Sequence, residues 1–90
     1  MSIKLITYDL NKPAQNYDSL YKEIEGLGDH IHPLESVWLV KTELSSEAIL
    51  KRLFKVADKN DNLLVTPFGC NGEYFAYLNT EDIKWIDNNL

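Results

Sequence analysis

The carboxylate best placed for chemistry is Asp9, which ends the first apolar run of the chain. That run, Ser2 to Leu10, reads SIKLITYDL and precedes the turn signal Asn11-Lys12-Pro13. A strand that ends in a carboxylate fixes the charge at a sheet edge, where it can bind a metal ion or act as an acid or base. The alternative is a turn aspartate that accepts backbone N–H bonds. Both interpretations of Asp9 fit the sequence.

Two histidines form a second candidate. His30 and His32 are two residues apart, so in a strand both side chains point to one face. A His-x-His pair can bind zinc or copper, but it needs a third ligand, and Glu35 is a nearby acid. The alternatives are a half-exposed strand pair, a pH-dependent element and a phosphate contact.

The only cysteine, Cys70, lies between Gly69 and Asn71-Gly72. A thiol on an exposed loop can be reactive, but a nucleophile also needs a base, and the sequence places none nearby. The surrounding Gly-Cys-Asn-Gly run is typical of a turn between strands. We therefore expect a turn here. A lone cysteine also fits a reducing cytoplasm, and no signal peptide or membrane-spanning run is visible, so we expect a cytoplasmic protein without a membrane partner.

The basic residues Lys51, Arg52 and Lys55 cluster on one predicted helix, and Lys59 lies just beyond. They could contact phosphates, while a solvated helix face is the alternative. Trp38 and the tyrosines could stack on bases or pack in a core or dimer interface. The net charge of −5 argues against a protein that holds a long nucleic-acid duplex.

Residues 1–90 are the length of one domain, and so short a chain buries only about 60% of its unfolded surface, so a second subunit would help. Helical spacing predicts a first helix from Tyr17 to about Leu27, capped by Asn16, with Gly28 left-handed after its end. A short strand, His30 to His32, should stop at Pro33, and Val37 to Val40 should form the next strand.

The second half of the chain repeats the pattern of helix and strand. Ser45 should cap a helix, Leu63 to Val65 should form a strand closed by Pro67, and Tyr74 to Tyr77 should form a fifth strand. Asn79 or Thr80 should cap a last short helix.

This order predicts an α+β, ferredoxin-like βαββαβ sandwich with the first and third strands central. Two helices should cover one face of a four-stranded antiparallel sheet, with a short strand and helix added at the C-terminus. The other face then needs a cover. Aromatic residues at Tyr8, Trp38 and Phe68 suggest that a dimer partner could provide it.

Three segments resemble the CRISPR-associated protein 2 (Cas two) family. Residues 6–10 (ITYDL) look like its V-Y-D-I start, residues 35–39 (ESVWL) are similar to its Q-x-S-V-F-E hairpin, and residues 61–68 (DNLLVTPF) look like its D-x-V-x-I-Y-P-L strand. The opening YDLNKP also resembles small bacterial SinR-like proteins, and VapD-type ribonucleases share the fold more distantly. The likeness covers residues 1–77.

The resemblance implies a homodimer in which two copies of Asp9 face each other. Some relatives are metal-dependent nucleases through that aspartate, and others are scaffolds, so Asp9 would hold Mg²⁺. Tyr8, Asn11, Lys12 and Ser36 would shape a site for short RNA, or less readily DNA. The chain departs from the family pattern in three ways. Relatives carry a second acid and basic residues where Asn11 and Lys12 stand. The chain is acidic, and its last helix has no counterpart in the family. A non-catalytic dimeric interaction module with an unidentified protein partner is the alternative.

Overall fold

The computed structural model of the chain describes residues 2–11 and 17–90. These residues form four strands, three α-helices and a 3-10 turn at Cys70–Gly72. In chain order the elements are β1 (Ser2–Asp9), α1 (Asp18–Glu25), β2 (Asp29–Leu34), β3 (Val37–Thr42), α2 (Ser46–Phe54), β4 (Asn62–Pro67) and α3 (Thr80–Asn89). None of the described helices is long and apolar enough to cross a membrane.

The four strands form one antiparallel sheet in the order β2-β3-β1-β4. The predicted α+β class with a four-stranded antiparallel sheet is confirmed, and the order is compatible with a ferredoxin-like fold. β1 and β3 are the central strands, as the sequence predicted, because they carry apolar side chains on both faces. Asp9 therefore ends a central strand and not an edge strand.

One face of the sheet is closed by α1 and α2. Alternate residues of the central strands, such as Ile6 and Val40, point to this face, because side chains in a strand alternate. They meet apolar residues that recur at helical spacing on α1 and α2. The fully buried helix residues in this core are Leu20, Ile24, Ile49 and Leu53. We call this side the closed face.

The other face is covered only in part, by α3 and the segment before it. Ile3 and Leu39 pack there against Ile86 of α3, in a smaller core. The sequence placed helices on one face and left the last helix unplaced, so the position of α3 is new. We call this side the open face. The suggestion that Tyr8 and Trp38 lie on it is wrong, because both belong to the closed-face core, whereas Phe68 does pack on the open face.

The first helix is shorter than predicted. It begins at Asp18 with Tyr17 in the capping position and no side-chain cap, and it ends at Glu25. Asn16, the predicted cap, lies outside the described residues. Gly28 is not a left-handed residue directly after the helix. It permits a close approach, because a Cβ there would collide with the carbonyl oxygen of Lys41.

Strand β2 continues through Pro33, where the sequence predicted an end. β2 is an edge strand, and proline is tolerated there because its missing N–H removes no central ladder bond. The register with β3 shifts between Ile31 and Leu34, so the irregularity in pairing is confined to the residues around Pro33.

The predicted fifth strand, Tyr74 to Tyr77, is wrong. Residues 73–79 form no strand. Tyr74 and Leu78 pack onto the open-face core, and the Tyr74 hydroxyl donates to Asp87 Oδ1 (2.6 Å). Side chains therefore hold this segment in place without a backbone ladder. The caps of the two later helices are as predicted: Ala48 N–H donates to Ser45 Oγ (3.1 Å), and Asp82 N–H donates to Asn79 Oδ1 (2.8 Å).

Candidate functional site

Asp9 is exposed at the last position of β1, opposite Asn62 of β4. Its side chain falls on the open face, because it alternates with Tyr8, which faces the closed core. Two shallow cavities, of about 190 and 260 Å³, meet at this point, and both are lined by Tyr8, Asp9 and Ser36. Three of the predicted site residues therefore lie together at one end of the sheet.

Tyr8 is a structural member of this group. Trp38 Nε1 donates to the Tyr8 hydroxyl (3.0 Å), which in turn donates to the backbone carbonyl of Glu35 (3.4 Å). Burial raises the pKa of the Tyr8 phenol above its usual 10.0. A phenol that holds its proton so firmly is a poor base at neutral pH. Its bonds instead fix the β2–β3 hairpin turn that carries Ser36 beside Asp9.

Asn11 fastens the chain beyond β1 to the loop before β4. Its backbone N–H donates to Asp61 Oδ1 (2.9 Å), and its side-chain Nδ2 donates to the carbonyl of Asn60 (2.9 Å). Asp61 also accepts from the Tyr17 hydroxyl (2.8 Å), so this carboxylate joins three segments. Asp61 was not among the residues predicted for the site, and its only signal in the sequence is the polar turn from Asp58 to Asn62. Lys12, the remaining predicted site residue, lies outside the described residues.

His30 and His32 flank Trp38. The ring of His32 stacks on Trp38 with 3.8 Å between centroids and 12° between planes, and His30 lies 5.8 Å from it. Each histidine also contacts a backbone carbonyl: His32 Nε2 lies 3.0 Å from that of Glu35, and His30 Nδ1 lies 3.0 Å from that of Gly28. The two rings share a face, as predicted, and support the hairpin that carries Ser36.

The described residues of one chain do not form a complete set of metal ligands. Within residues 2–11 and 17–90, no group of three or more His, Cys, Asp or Glu side chains is placed to hold one. Mg²⁺ is bound in proteins through one or two carboxylates, waters and substrate phosphates. Asp9 offers one carboxylate, and Glu35 lines the same cavity of about 260 Å³. A second copy of the chain would add another Asp9.

The predicted basic cluster lies away from Asp9. It belongs to α2, on the closed side of the sheet, whereas the Asp9 side chain is on the open side. Arg52 Nε lies 2.9 Å from Glu23 Oε1, and Lys51 Nζ lies 3.5 Å from Glu47 Oε2. The shorter pair holds Arg52 beside Glu23, whereas Lys51 and Glu47 stay largely exposed, so solvent weakens their attraction. Cys70 is exposed in the expected turn, between the left-handed residues Gly69 and Asn71.

A row of side chains crosses all four strands beside Asp9. In strand order it consists of Leu34, Val37, Thr7 and Leu64, which are register partners of one another. Leu34 is 54% exposed and Leu64 is 58% exposed. We call these four residues the open row. It lies beyond the part of the open face that α3 covers, so apolar surface borders the candidate site.

Two aromatic side chains project beside the open row. Phe75 and Tyr77 are fully exposed. With Leu5, Val37 and Leu39 they line a mainly apolar groove of about 280 Å³. The sequence pattern predicted a strand for these two aromatic residues and did not indicate that their side chains are exposed.

No family model matches the chain, and neither a curated protein nor a solved structure does. The resemblance to the CRISPR-associated protein 2 family and to SinR-like proteins therefore stays a prediction. The Asp9 carboxylate and the Ser36 hydroxyl lie together at one end of the sheet, beside the exposed apolar side chains of Leu34 and Leu64.

Proposed function

We propose that this chain is a homodimeric interaction module that associates with a second copy through its open face. The observation that carries the proposal is the exposed apolar surface of the open face: Leu34 and Leu64 are more than half exposed, Phe75 and Tyr77 are fully exposed, and Leu34 lines one groove with the two rings. Contiguous apolar patches of this kind mark association sites in other proteins. The single cysteine of the chain, Cys70, fits a reducing compartment such as the cytoplasm.

The exposed area is suited to a dimer. A covered Phe or Tyr buries about 150–250 Å², so Phe75 and Tyr77 supply roughly half of the ~800 Å² that each partner contributes to a stable interface. The surface also contains both projecting rings and a groove lined by Leu5 and Val37. A two-fold axis would place the rings of each copy in the groove of the other, since such interfaces are self-complementary.

The charge near the aromatics favours a protein partner over a polyanion. Glu73 precedes the projecting rings, and Glu81, Asp82 and Asp87 follow them, with Lys84 as the one basic residue between residues 73 and 90. Exposed aromatic side chains can stack on bases, but single-stranded nucleic acid also needs a basic groove along its backbone. The acidic surroundings of Phe75 and Tyr77 repel phosphates.

The dimer is tested by sedimentation of the wild type and of Tyr77→Ser. We expect the wild type to show twice the chain mass of 10.4 kDa at micromolar concentration, and Tyr77→Ser to sediment as a monomer with unchanged circular dichroism. Val56→Ser, a change at an exposed apolar residue of the α2 end, is the matched control and should remain dimeric. A monomeric wild type, or equal dimers in both variants, would remove this interface.

A second candidate is a metal-dependent nuclease that acts on short RNA, or less readily on DNA. It is favoured by the exposure of Asp9 at the end of a central strand, next to the surface where the second copy would bind. Two copies of Asp9 could then hold Mg²⁺, which polarises a phosphate and activates water. Two observations weigh against it. No group of three or more metal-ligating side chains forms among residues 2–11 and 17–90, and the basic cluster lies on the opposite side of the sheet from Asp9.

The nuclease candidate is tested by incubating short RNA and DNA with the purified dimer, with and without Mg²⁺ or Mn²⁺. Asp9→Ala, confirmed to be a dimer, is the comparison. Metal-dependent cleavage that disappears in Asp9→Ala would establish a catalytic role. No cleavage by either protein would leave the interaction module as the function. Equal cleavage by both would remove Asp9 from the catalytic role and point to a contaminant or another site.

A further inference from the structure

A second exposed apolar stripe lies on α2, on the far side of the molecule from the open row. Leu50 is 38% exposed and Phe54 is 68% exposed, and they are one helical turn apart. With Lys51 and Lys55 they line a concavity of about 400 Å³. We call these four residues the outer patch.

The fold does not need apolar side chains at these positions. Ile49 and Leu53 already supply the buried stripe through which α2 packs on the sheet, and both are fully buried. The outward side of such a helix normally carries polar residues. Leu50 and Phe54 therefore expose apolar surface and contribute little to the core.

The charge around the outer patch is positive in a chain whose net charge is −5. Lys51 lies 3.5 Å from Glu47, but the two side chains are 74% and 79% exposed, so solvent weakens this pair. Lys55 has no ion-pair partner among residues 2–11 and 17–90. Two lysines beside two apolar side chains match a ligand that carries acidic and apolar groups together.

We propose that the outer patch binds an amphipathic segment of a partner protein in which Asp or Glu residues stand beside Leu or Phe residues. Its apolar side chains would cover Leu50 and Phe54, as an amphipathic helix does in a hydrophobic groove. Its carboxylates would meet Lys51 and Lys55. The surface is separate from the open face, so a dimer would present it twice.

Nucleic acid and membrane fit the patch less well. Arg52 bonds Glu23 at 2.9 Å, which leaves Lys51 and Lys55 as the cations beside the concavity, and an apolar centre gives no contact to phosphates. A helix that lies on a membrane needs a long apolar face. Here α2 has nine residues and buries its main apolar stripe in its own core.

The test is selection of short random peptides from a display library against the full wild-type chain, with counter-selection against Phe54→Ser/Lys55→Glu. Enriched peptides are then synthesised, and their Kd is measured by calorimetry against each single variant. Leu90→Ser, a change at an exposed apolar residue outside both the outer patch and the open row, is the matched control. Phe54 and Lys55 are exposed, so both variants should keep the wild-type circular dichroism and melting temperature.

We expect enriched peptides that combine acidic and apolar residues. Binding should weaken by about tenfold or more in Phe54→Ser and in Lys55→Glu and stay unchanged in Leu90→Ser. The proposal is overturned if no peptide is enriched, or if the enriched peptides lack acidic residues or bind both variants like the wild type. Binding of phosphatidylserine vesicles or of RNA through Phe54 and Lys55, without peptide binding, would also overturn it.

Discussion

The two faces of the sheet differ in how completely the chain covers them. On the closed face Ile6, Val40 and Leu53 have no exposed surface, whereas on the open face Leu34 and Leu64 keep more than half of theirs. The same strands supply both faces, since neighbouring residues alternate between them. The closed face is therefore an interior that stabilises the fold, and the open face is a surface left for another molecule.

The largest expected effect is a difference in unfolding free energy between substitutions on the closed face and on the open face. Leu53→Ala on the closed face should lower the free energy of unfolding by about 2–5 kcal/mol, because it leaves a cavity in a packed core. Leu64→Ala on the open face should change it by less than about 0.5 kcal/mol at low protein concentration. Urea denaturation measures both. Equal losses would show that the open row already lies in the interior of a single chain.

The next effect is a difference in dimer Kd between a substitution on the open face and one on α2. Phe75→Ser should weaken dimerisation by about 2 kcal/mol, roughly 30-fold in Kd, because an exposed aromatic anchor is lost from the centre of the interface. Phe54→Ser, an aromatic at 68% exposure on α2, should leave the dimer Kd unchanged. Sedimentation equilibrium gives both constants. Weakening by Phe54→Ser alone would place the dimer interface on α2.

A smaller difference is expected between the loss of the α2 cap, on the closed face, and the loss of the α3 cap, on the open face. Ser45→Ala removes the cap of α2 and Asn79→Ala that of α3, and each should cost about 1 kcal/mol. Because α2 belongs to the main core, its loss should appear in global unfolding. Loss at Asn79 should appear mainly as faster hydrogen exchange within α3. If α3 exchanged as slowly as α2 in Asn79→Ala, the open face would be as tightly covered as the closed face.

The smallest effect is a pH dependence of the closed face. Burial raises the pKa of Tyr8 above 10.0, so the unfolded chain loses this proton at lower pH than the folded chain. The stability from Tyr8 is complete below pH 10 and falls as the pH rises through the folded pKa. Tyr8→Phe should flatten the decline seen in urea denaturation above pH 10. An unchanged decline would assign it to other groups.

The closed face could be predicted from the sequence, because the helices and the central strands each carry a pattern of apolar residues that indicates a buried face. Residues such as Ile49 and Leu53 recur at helical spacing, and the central strands are apolar, so the packing of α1 and α2 on the sheet follows from local pattern. The place of α3 could not be predicted. The apolar residues Ile83 and Ile86 show that the helix has a face to bury, but they do not show which side of the sheet it meets.

The candidate site was predictable only in part. Asp9 and Ser36 lie at one end of the sheet, as expected from a strand end and a hairpin turn. The contacts of Asp61 with Asn11 and the stacking of His32 on Trp38 depend on folding distant segments together, which local pattern does not reveal. The alternation at Tyr74 to Tyr77 matched a strand, but alternation does not indicate whether a sheet edge is available for pairing.

The central claim, that the open face binds a second copy, is tested most directly by NMR spectra with assigned side chains over a dilution series. We predict that signals of Leu34, Val37, Leu64, Phe75 and Tyr77 change with protein concentration, while those of Leu50 and Phe54 stay constant. Spectra that do not depend on concentration, or changes confined to Leu50 and Phe54, would contradict the account.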